Sequence, residues 1–366
     1  MVQGNKLKRS FDIVKEALDN DTFPCAAVLV RQKGSVGTEL SSRFFGSPFP
    51  GGSALKENAL FDLASLTKSL ATTPLILRAF ESGALKLQDP LSKYLPKAGA
   101  GQFGATIEDL LTHRASLPPV PALQLLFSDP ESIERTDAID RLLAVPAKNL
   151  AGQEVVYSCT GFLLLGLVLE HISGMRLGRL FNREIAEPLG LSPHPKSADS
   201  DSSPIATYNP SAELQLSSVP TEYCSWRKRR MHGQVHDESS YALGGDGGNA
   251  GLFATLSAVD RLFSIYENGA GLLTEETVKN ARSLHTAGFN LHRGLGLQVH
   301  DTETCDGPLW PSDSFGHTGF TGTSAWCSPS LGLTSIILTN RVYYGRDATL
   351  TKIQTFRRSF HTSLLE

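Results

Sequence analysis

The stretch Phe61-Asp-Leu-Ala-Ser65-Leu-Thr-Lys68-Ser-Leu-Ala-Thr-Thr73 sets a serine three residues before a lysine, at the start of an apolar run. Residues three apart on a helix share a face, so the amine can reach the hydroxyl oxygen. A serine hydroxyl attacks carbonyl carbon only when a nearby base accepts its proton. Lysine can be that base if its pKa falls, through burial or a second cationic or hydrogen-bonding group. The opening turn of a helix adds free backbone N–H groups and a positive dipole end where an oxyanion would form. This is the chemistry of acyl transfer. The same Ser-x-x-Lys pattern recurs at Ser53/Lys56 and Ser225/Lys228, in a Gly-rich loop and a basic polar stretch. Only Ser65 leads into a periodic helix, Leu66 to Phe80, with Gly83 as its stop.

Two other stretches supply partners for such a nucleophile. In Val155-Val-Tyr157-Ser-Cys159-Thr-Gly-Phe a tyrosine precedes a helix. A phenol whose proton is drawn toward an ammonium can take the serine proton and return it to a leaving group. Read alone, Tyr157 is also a boundary aromatic packed on a core. Phe315-Gly-His317-Thr318-Gly319-Phe320-Thr-Gly-Thr-Ser-Ala-Trp326 is a turn-rich segment running into a strand. A strand edge of this kind can hold substrate backbone and offer an N–H to an oxyanion.

Together, in this order, the three stretches resemble the serine β-lactamase and penicillin-binding-protein superfamily, in its class C-like branch, which includes family VIII-type esterases and D-amino-acid peptidases. That superfamily carries Ser-x-x-Lys, Tyr-x-Asn and Lys-Thr-Gly. Leu110-Leu-Thr-His-Arg-Ala-Ser-Leu117, Val235-His-Asp-Glu238 and Gly247 to Thr255 extend the resemblance over most of the chain. It implies Ser65 as the acylated nucleophile, with Lys68 and Tyr157 handling its proton. His317, Thr318 and Gly319 would line the substrate, and the N–H groups of Ser65 and Phe320 would form the oxyanion hole. No metal or cofactor is implied. Two positions depart from the pattern. Cys159 stands where the second motif has asparagine, and a thiol cannot replace an amide that holds a substrate amide. His317 stands where the third has lysine, and a neutral imidazole is a weaker partner for a β-lactam carboxylate.

The elements that must position these residues follow from the rest of the chain. Its 366 residues suffice for a large core and two domains or subdomains. Cys25 to Val30 reads as a buried strand with Glu39 to Phe45 as its hairpin partner, after an amphipathic helix over Ser10 to Leu18. Thr106-Ile-Glu-Asp109 and Ser257-Ala-Val-Asp260 read as helix starts, and Ser132 to Val145 and Thr160 to Ile172 as helices. Gly294 to His300, Ser324 to Cys327 and Leu333 to Thr339 read as strands, and Ala348 to Leu365 as a closing helix. The predicted fold is α/β (α+β): an antiparallel sheet flanked by helices, from residues 1–64 and 286–366, with a mainly helical domain from 65–285 inserted and the site between them. The resemblance implies the same β-lactamase/transpeptidase-like fold with an all-helical inserted part.

Composition narrows the function. A net charge of −3 gives no reason to invoke nucleic acid or an anionic membrane. Five cysteines without Cys-x-x-Cys make neither a disulfide framework nor a zinc site. His232, His236 and Asp237 have metal-like spacing but lack a third strong ligand, and a structural role in a loop is expected. Gly244 to Gly251 lacks the Gly-Lys-Ser/Thr ending of a phosphate loop and reads as a tight loop packed near a site. Trp226-Arg-Lys-Arg-Arg230 reads as a solvated basic loop, and Ser192 to Pro204 as an exposed one. No signal-like apolar segment follows the basic N-terminus, so a cytoplasmic protein is expected. The expected function is serine hydrolysis through an acyl-enzyme on Ser65, with an ester or a small amide or peptide as substrate. A β-lactamase or D-alanyl-D-alanine carboxypeptidase is the alternative, and a catalytically silent binding protein on the same fold is the third.

Overall fold

A computed structural model describes residues 4–34, 37–192 and 204–366. Most of the expected loop Ser192 to Pro204 lies outside the described residues. Alternation along the first strand, β1 (Cys25–Gly34), sets the layering. Ala26, Val28 and Val30 pack toward one face and Cys25, Ala27 and Leu29 toward the other, so both faces are buried. The first face is covered by two helices, α1 (Gly4–Asp19) and one near the C-terminus described below, through Val14, Ala17, Phe356 and Phe360. The second face packs on the long central segment of the chain.

The sheet is assembled from distant parts of the sequence. β2 (Gly37–Gly46) pairs with β1 along its length. Far downstream come β3 (Gln298–Val299), β4 (Phe315–Thr318), β5 (Ser324–Ser328) and β6 (Leu333–Thr339). The order is β2-β1-β6-β5-β4-β3, antiparallel throughout, with Val28 opposite Ile337 and Ala325 opposite His317. β1 is also tied down by Arg31, which ion-pairs with Glu267 and Asp260 on the helical side.

Three helices matter most here: α2 (Thr73–Glu81), α3 (Cys159–Ser173) and α4 (Leu350–Ser363). α3 is buried for eleven residues from Cys159 to Leu169, and Gly174 ends it at φ +67°, where glycine is at ease. Thr106 and Asp109 form the expected capping box of a short helix.

Several expectations shift on inspection. The part between the sheet segments is mainly helical but also holds a three-stranded sheet (residues 61–62, 252–254 and 206–208) and a small hairpin (223–224 with 229–230). The helix near Ser257 starts two residues earlier, because Thr255 Oγ1 accepts the Ala258 N–H. The strand expected over Gly294 to His300 contracts to β3, as Gly296 backbone is used by a helix instead: Ser69 Oγ donates to its carbonyl at 2.7 Å. The basic stretch is only partly solvated: Lys228 and Arg230 are exposed and Arg229 is half-buried, as expected of a loop, but one arginine is not. Arg227 is buried, its guanidinium donating to the Val235 and His236 carbonyls and lying 4.7 Å over the Tyr241 ring.

Candidate active site

Ser65 is presented by a turn that the chain builds from a buried carboxylate. Asp62 Oδ1 accepts the Ala64 N–H at 2.8 Å and Oδ2 accepts the His236 N–H at 2.6 Å. Ala64 is held at φ +47°, a left-handed conformation that costs a side-chain-bearing residue about 1–2 kcal/mol. The amides of Leu66, Thr67 and Lys68 then bond back to the carbonyls of Leu63, Ala64 and Ser65. Among the described residues, no protein acceptor receives the Ser65 N–H. Lys68–Thr72 is a π-helical turn before α2, a distortion that recurs at functional sites.

Lys68 is fully buried beneath the serine. Its Nζ donates to Ser65 Oγ at 2.8 Å, to the Asn249 carbonyl at 3.0 Å and to Cys159 Sγ at 3.4 Å. The glycine-rich loop 244–251 thus packs against the site, with Thr72 Oγ1 also donating to the Gly248 carbonyl. Burial works against the ammonium, but the neighbouring Cys159 and Tyr157 outweigh it, and the net direction of the Lys68 pKa is upward. A lysine base would need a lowered pKa, and the direction here is the opposite. Tyr157 stands beside this lysine, its ring centre 5.1 Å from Lys68 Nζ; burial raises its pKa, against the pull of the ammonium. At neutral pH the pair is therefore an ammonium and a neutral phenol.

The N-terminus of α3 fixes the tyrosine. Ser158 and Thr160 hydroxyls donate to the Pro118 carbonyl and Cys159 N–H donates to that of Pro119, so the Pro-rich break clamps the helix start. Ser158 N–H donates to His113 Nδ1 at 3.1 Å, and the His113 ring lies 4.7 Å from that of Tyr157. Burial, then the charges of Arg293 and Lys68, push the His113 pKa well below the usual range, so its imidazole is neutral.

β4 forms the opposite wall. His317 is buried, and its Nδ1 lies 2.8 Å from the Thr318 carbonyl, which can only accept; Nδ1 therefore carries the proton. Nε2 is left as an acceptor with no partner among the described residues. Burial, then the charges of Lys68 and Arg293, hold the His317 pKa well below its ordinary value. Gly319 follows, its N–H on the Thr323 carbonyl, while Thr323 Oγ1 donates to the Leu63 carbonyl at 2.9 Å and so ties β4 to the serine turn. The Phe320 N–H has no protein acceptor among the described residues, and the Phe320 ring stacks on His236 at 5.7 Å.

Ser65, Tyr157, Cys159, His317, Thr318, Gly319 and Phe320 all line one cleft of about 460 Å³, with Lys68 under its floor. The eight residues expected to form the site are thus brought together. The arrangement offers a nucleophile, a proton-handling pair and two free amides. Sequence reasoning missed Arg293, His113 and Asn249, which lie in or beside the site. His113 sits in the matched stretch Leu110 to Leu117, so its motif was visible but its role was not. His236 donates to Glu222 at 2.8 Å and His232 lies 2.9 Å from the Ser218 carbonyl, so both have the structural roles expected. Among the described residues no cluster fit to hold a metal is found, and no single helix is long and apolar enough to cross a membrane.

Comparison with known proteins bears on this arrangement. The chain is 29% identical over 305 residues to a putative D-alanyl-D-alanine carboxypeptidase of Escherichia coli K12, covering 77% of this chain and 69% of that one. A protein of the same name from Salmonella agona is 29% identical over 311 residues, covering 78% and 70%. Among solved structures, EstCE1, a hydrolase with promiscuous acyltransferase activity, superposes with a TM-score of 0.74 at 21% identity, covering 97% and 98% of the two chains. A penicillin-binding protein homologue from Caulobacter crescentus superposes with a TM-score of 0.73 at 17% identity, covering 99% of each. The family model for Beta-lactamase matches residues 11–357, nearly the whole length, and the chain accordingly belongs to the Beta-lactamase family and is a serine hydrolase.

Proposed function

We propose that this hydrolase works through an acyl-enzyme on Ser65 and takes an ester or a small amide or peptide. The observation that carries the reading is a fully buried Lys68 ammonium at 2.8 Å from Ser65 Oγ, with the Tyr157 ring centre 5.1 Å from the same nitrogen and Tyr157 lining the cleft beside the serine. Ser65 Oγ attacks the substrate carbonyl carbon as its proton passes to the Tyr157 oxygen. The lysine ammonium stabilises that oxygen as phenolate beforehand. The carbonyl oxygen, now negative, lies between the N–H groups of Ser65 and Phe320, which are already oriented and need no reorganisation. Tyr157 then hands the proton to the leaving group, and water releases the acyl group by the reverse sequence. Because both members of the pair hold their protons at neutral pH, the reaction runs from the fraction that has lost one.

A D-alanyl peptide is the specific amide to test, since the relatives at 29% identity carry the name of a carboxypeptidase. Cys159 and the neutral His317 favour esters over it, as neither can grip an amide or a carboxylate as asparagine or lysine would. A cytoplasmic setting belongs to the same reading, and imaging of a C-terminal fluorescent fusion tests it.

The decisive measurement is intact mass after exposure to a neutral fluorophosphonate. One adduct on the wild type and none on Ser65→Ala is expected. A folded wild type that takes no adduct would overturn the proposal in favour of a silent binding protein.

A further inference from the structure

The main sheet has an open edge at β2. This strand ends the order β2-β1-β6-β5-β4-β3, pairs among the described residues with β1 alone, and lines no part of the cleft. Which of its backbone groups point outward can be read from its end. The Ser47 N–H donates to the Pro24 carbonyl on the β1 side, whereas the Gly46 carbonyl accepts from Leu55, outside the pair. Backbone groups alternate in direction along an antiparallel strand, so those of the odd-numbered residues face β1. Those of Thr38, Leu40, Ser42 and Phe44 face outward. Among the described residues nothing from elsewhere in the chain bonds to these four, and the Ser42 carbonyl receives only the adjoining Arg43 Nη1, at 3.3 Å.

An unpaired edge is a template for another strand, and proteins blunt it with proline, a bulge, a short length or a cover. β2 is 10 residues long, has no proline and keeps an unbroken register with β1 from Gly37 to Gly46. Leu40 is 58% exposed on it. Glu39 and Arg43 are exposed too, and neither has an ion-pair partner among the described residues; Arg43 rests 5.7 Å over the Phe11 ring. These two charges select a partner and a register. Let a second β2 run antiparallel about a two-fold axis through Ser41. Leu40 then meets Ser42 and Thr38 meets Phe44, each pair exchanging both of its outward backbone bonds. The pairs between them, where side chains come closest, set Glu39 of each copy opposite Arg43 of the other. On the other face Leu40 reaches Phe44 of the second copy diagonally. Sliding by two residues either way is the smallest step that keeps outward groups together. It sets Glu39 opposite Ser41 or Phe45 and loses both ion pairs.

We propose that β2 is a self-association edge: two copies of the protein join by antiparallel β2–β2 pairing centred on Ser41, with Glu39 and Arg43 ion-paired across the axis. A second copy is the partner because it carries the complement of each charge at the matching position. The interface is isologous, so every substitution in it acts twice. The two main sheets become one continuous sheet, and each cleft, lined from β4 near the other edge, stays open.

The test is mass in solution, by sedimentation equilibrium of the full chain from about 1 to 100 μM. The wild type should be dimeric at the upper end. Glu39→Arg alone, or Arg43→Glu alone, puts like charges opposite each other twice and should weaken the dimer about tenfold or more. The double variant Glu39→Arg/Arg43→Glu restores opposite charges with their signs exchanged, and should recover association to within about threefold of wild type. Ser42→Pro removes an outward N–H at an edge position that accepts proline, and should give a monomer. Melting curves check folding, and the double variant guards against an artefact because it carries both changes. A wild type that stays monomeric over the whole range overturns the proposal and makes Glu39 and Arg43 charges that keep the edge apart. So does a dimer that either single substitution leaves intact, or one that the double variant fails to restore.

Discussion

Gly319→Ala tests whether the seam between β4 and the serine turn sets the oxyanion site. A Cβ at residue 319 would stand 2.0 Å from Thr323 Oγ1 and 2.4 Å from the Leu63 carbonyl oxygen. The hydroxyl can rotate away, but the carbonyl cannot: Leu63 is the second residue before Ser65, and its own N–H is held by the Leu252 carbonyl at 3.0 Å. Relief must come from moving β4 and Phe320 away from Ser65. Overpacking of this kind costs about 1–3 kcal/mol, and a backbone clash belongs at the upper end. With 366 residues the unfolding entropy is roughly 0.8 kcal/mol/K, so a loss of about 3 kcal/mol lowers Tm by about 4 °C. Displacing one oxyanion donor costs about 10²–10³ in rate. The assay is the second-order rate of fluorophosphonate labelling, followed by intact mass, beside a melting curve. Thr323→Ala added to the variant removes the 2.0 Å clash but leaves the one at 2.4 Å, so under half of either loss should return. Wild-type labelling and an unchanged Tm in Gly319→Ala would refute the reasoning.

Three further outcomes follow from the same geometry. Lys68 and Tyr157 both have raised pKa values, so the labelling rate should climb about tenfold per pH unit between pH 7 and 9; a flat profile there would mean the base is already free at neutrality. Cys159→Ala removes one acceptor from Lys68 but no reacting atom, so labelling should stay within about tenfold of wild type and map to Ser65, whereas its abolition would point to the thiol as the nucleophile. Glu267 accepts from Arg31, Lys33 and Thr334, and these partners overcome burial to depress its pKa to about 2. A depressed carboxylate stabilises the fold fully above its unfolded pKa of about 4.3 and less as pH falls toward 2, here by on the order of 3 kcal/mol. Urea titrations at pH 7 and pH 3 should show the gap between wild type and Glu267→Gln closing on acidification, and an equal gap at both would remove the carboxylate's charge from the account.

The long periodic segments were legible because burial writes itself into residue order. β1, β6 and α3 each expose their class through apolar runs, and the Thr106/Asp109 cap through two side chains three apart. Local patterns failed where a distant partner decides. Ser257 and Asp260 imitate a cap that Thr255 supplies, and Arg227 is buried by Tyr241 and two carbonyls that no nearby residue announces. The site divides in the same way. Ser65, Tyr157 and His317 could be found because three motifs occur in order. The charge state of Lys68 could not, since its other partners, Cys159 and Asn249, are 91 and 181 residues away. Arg293 belongs to no motif and shows itself only as a buried cation whose Nε and Nη1 have no acceptor among the described residues.

The hydrogen bond from Thr323 to Leu63 spans 260 residues, and β1 waits on β6 for its inner neighbour. During synthesis at about 5–20 residues per second, the serine turn is therefore exposed for roughly 13–50 s before the strand that faces it exists. Until then Phe320 cannot contribute its amide, and nothing holds the cleft to its shape. If Ser65 is the nucleophile, the nascent chain carries it from early on without the means of using it, and activity arrives only with the last strands of the sheet. A ribosome-bound chain stalled before residue 315 should be inert toward fluorophosphonate, however well its central helices have folded.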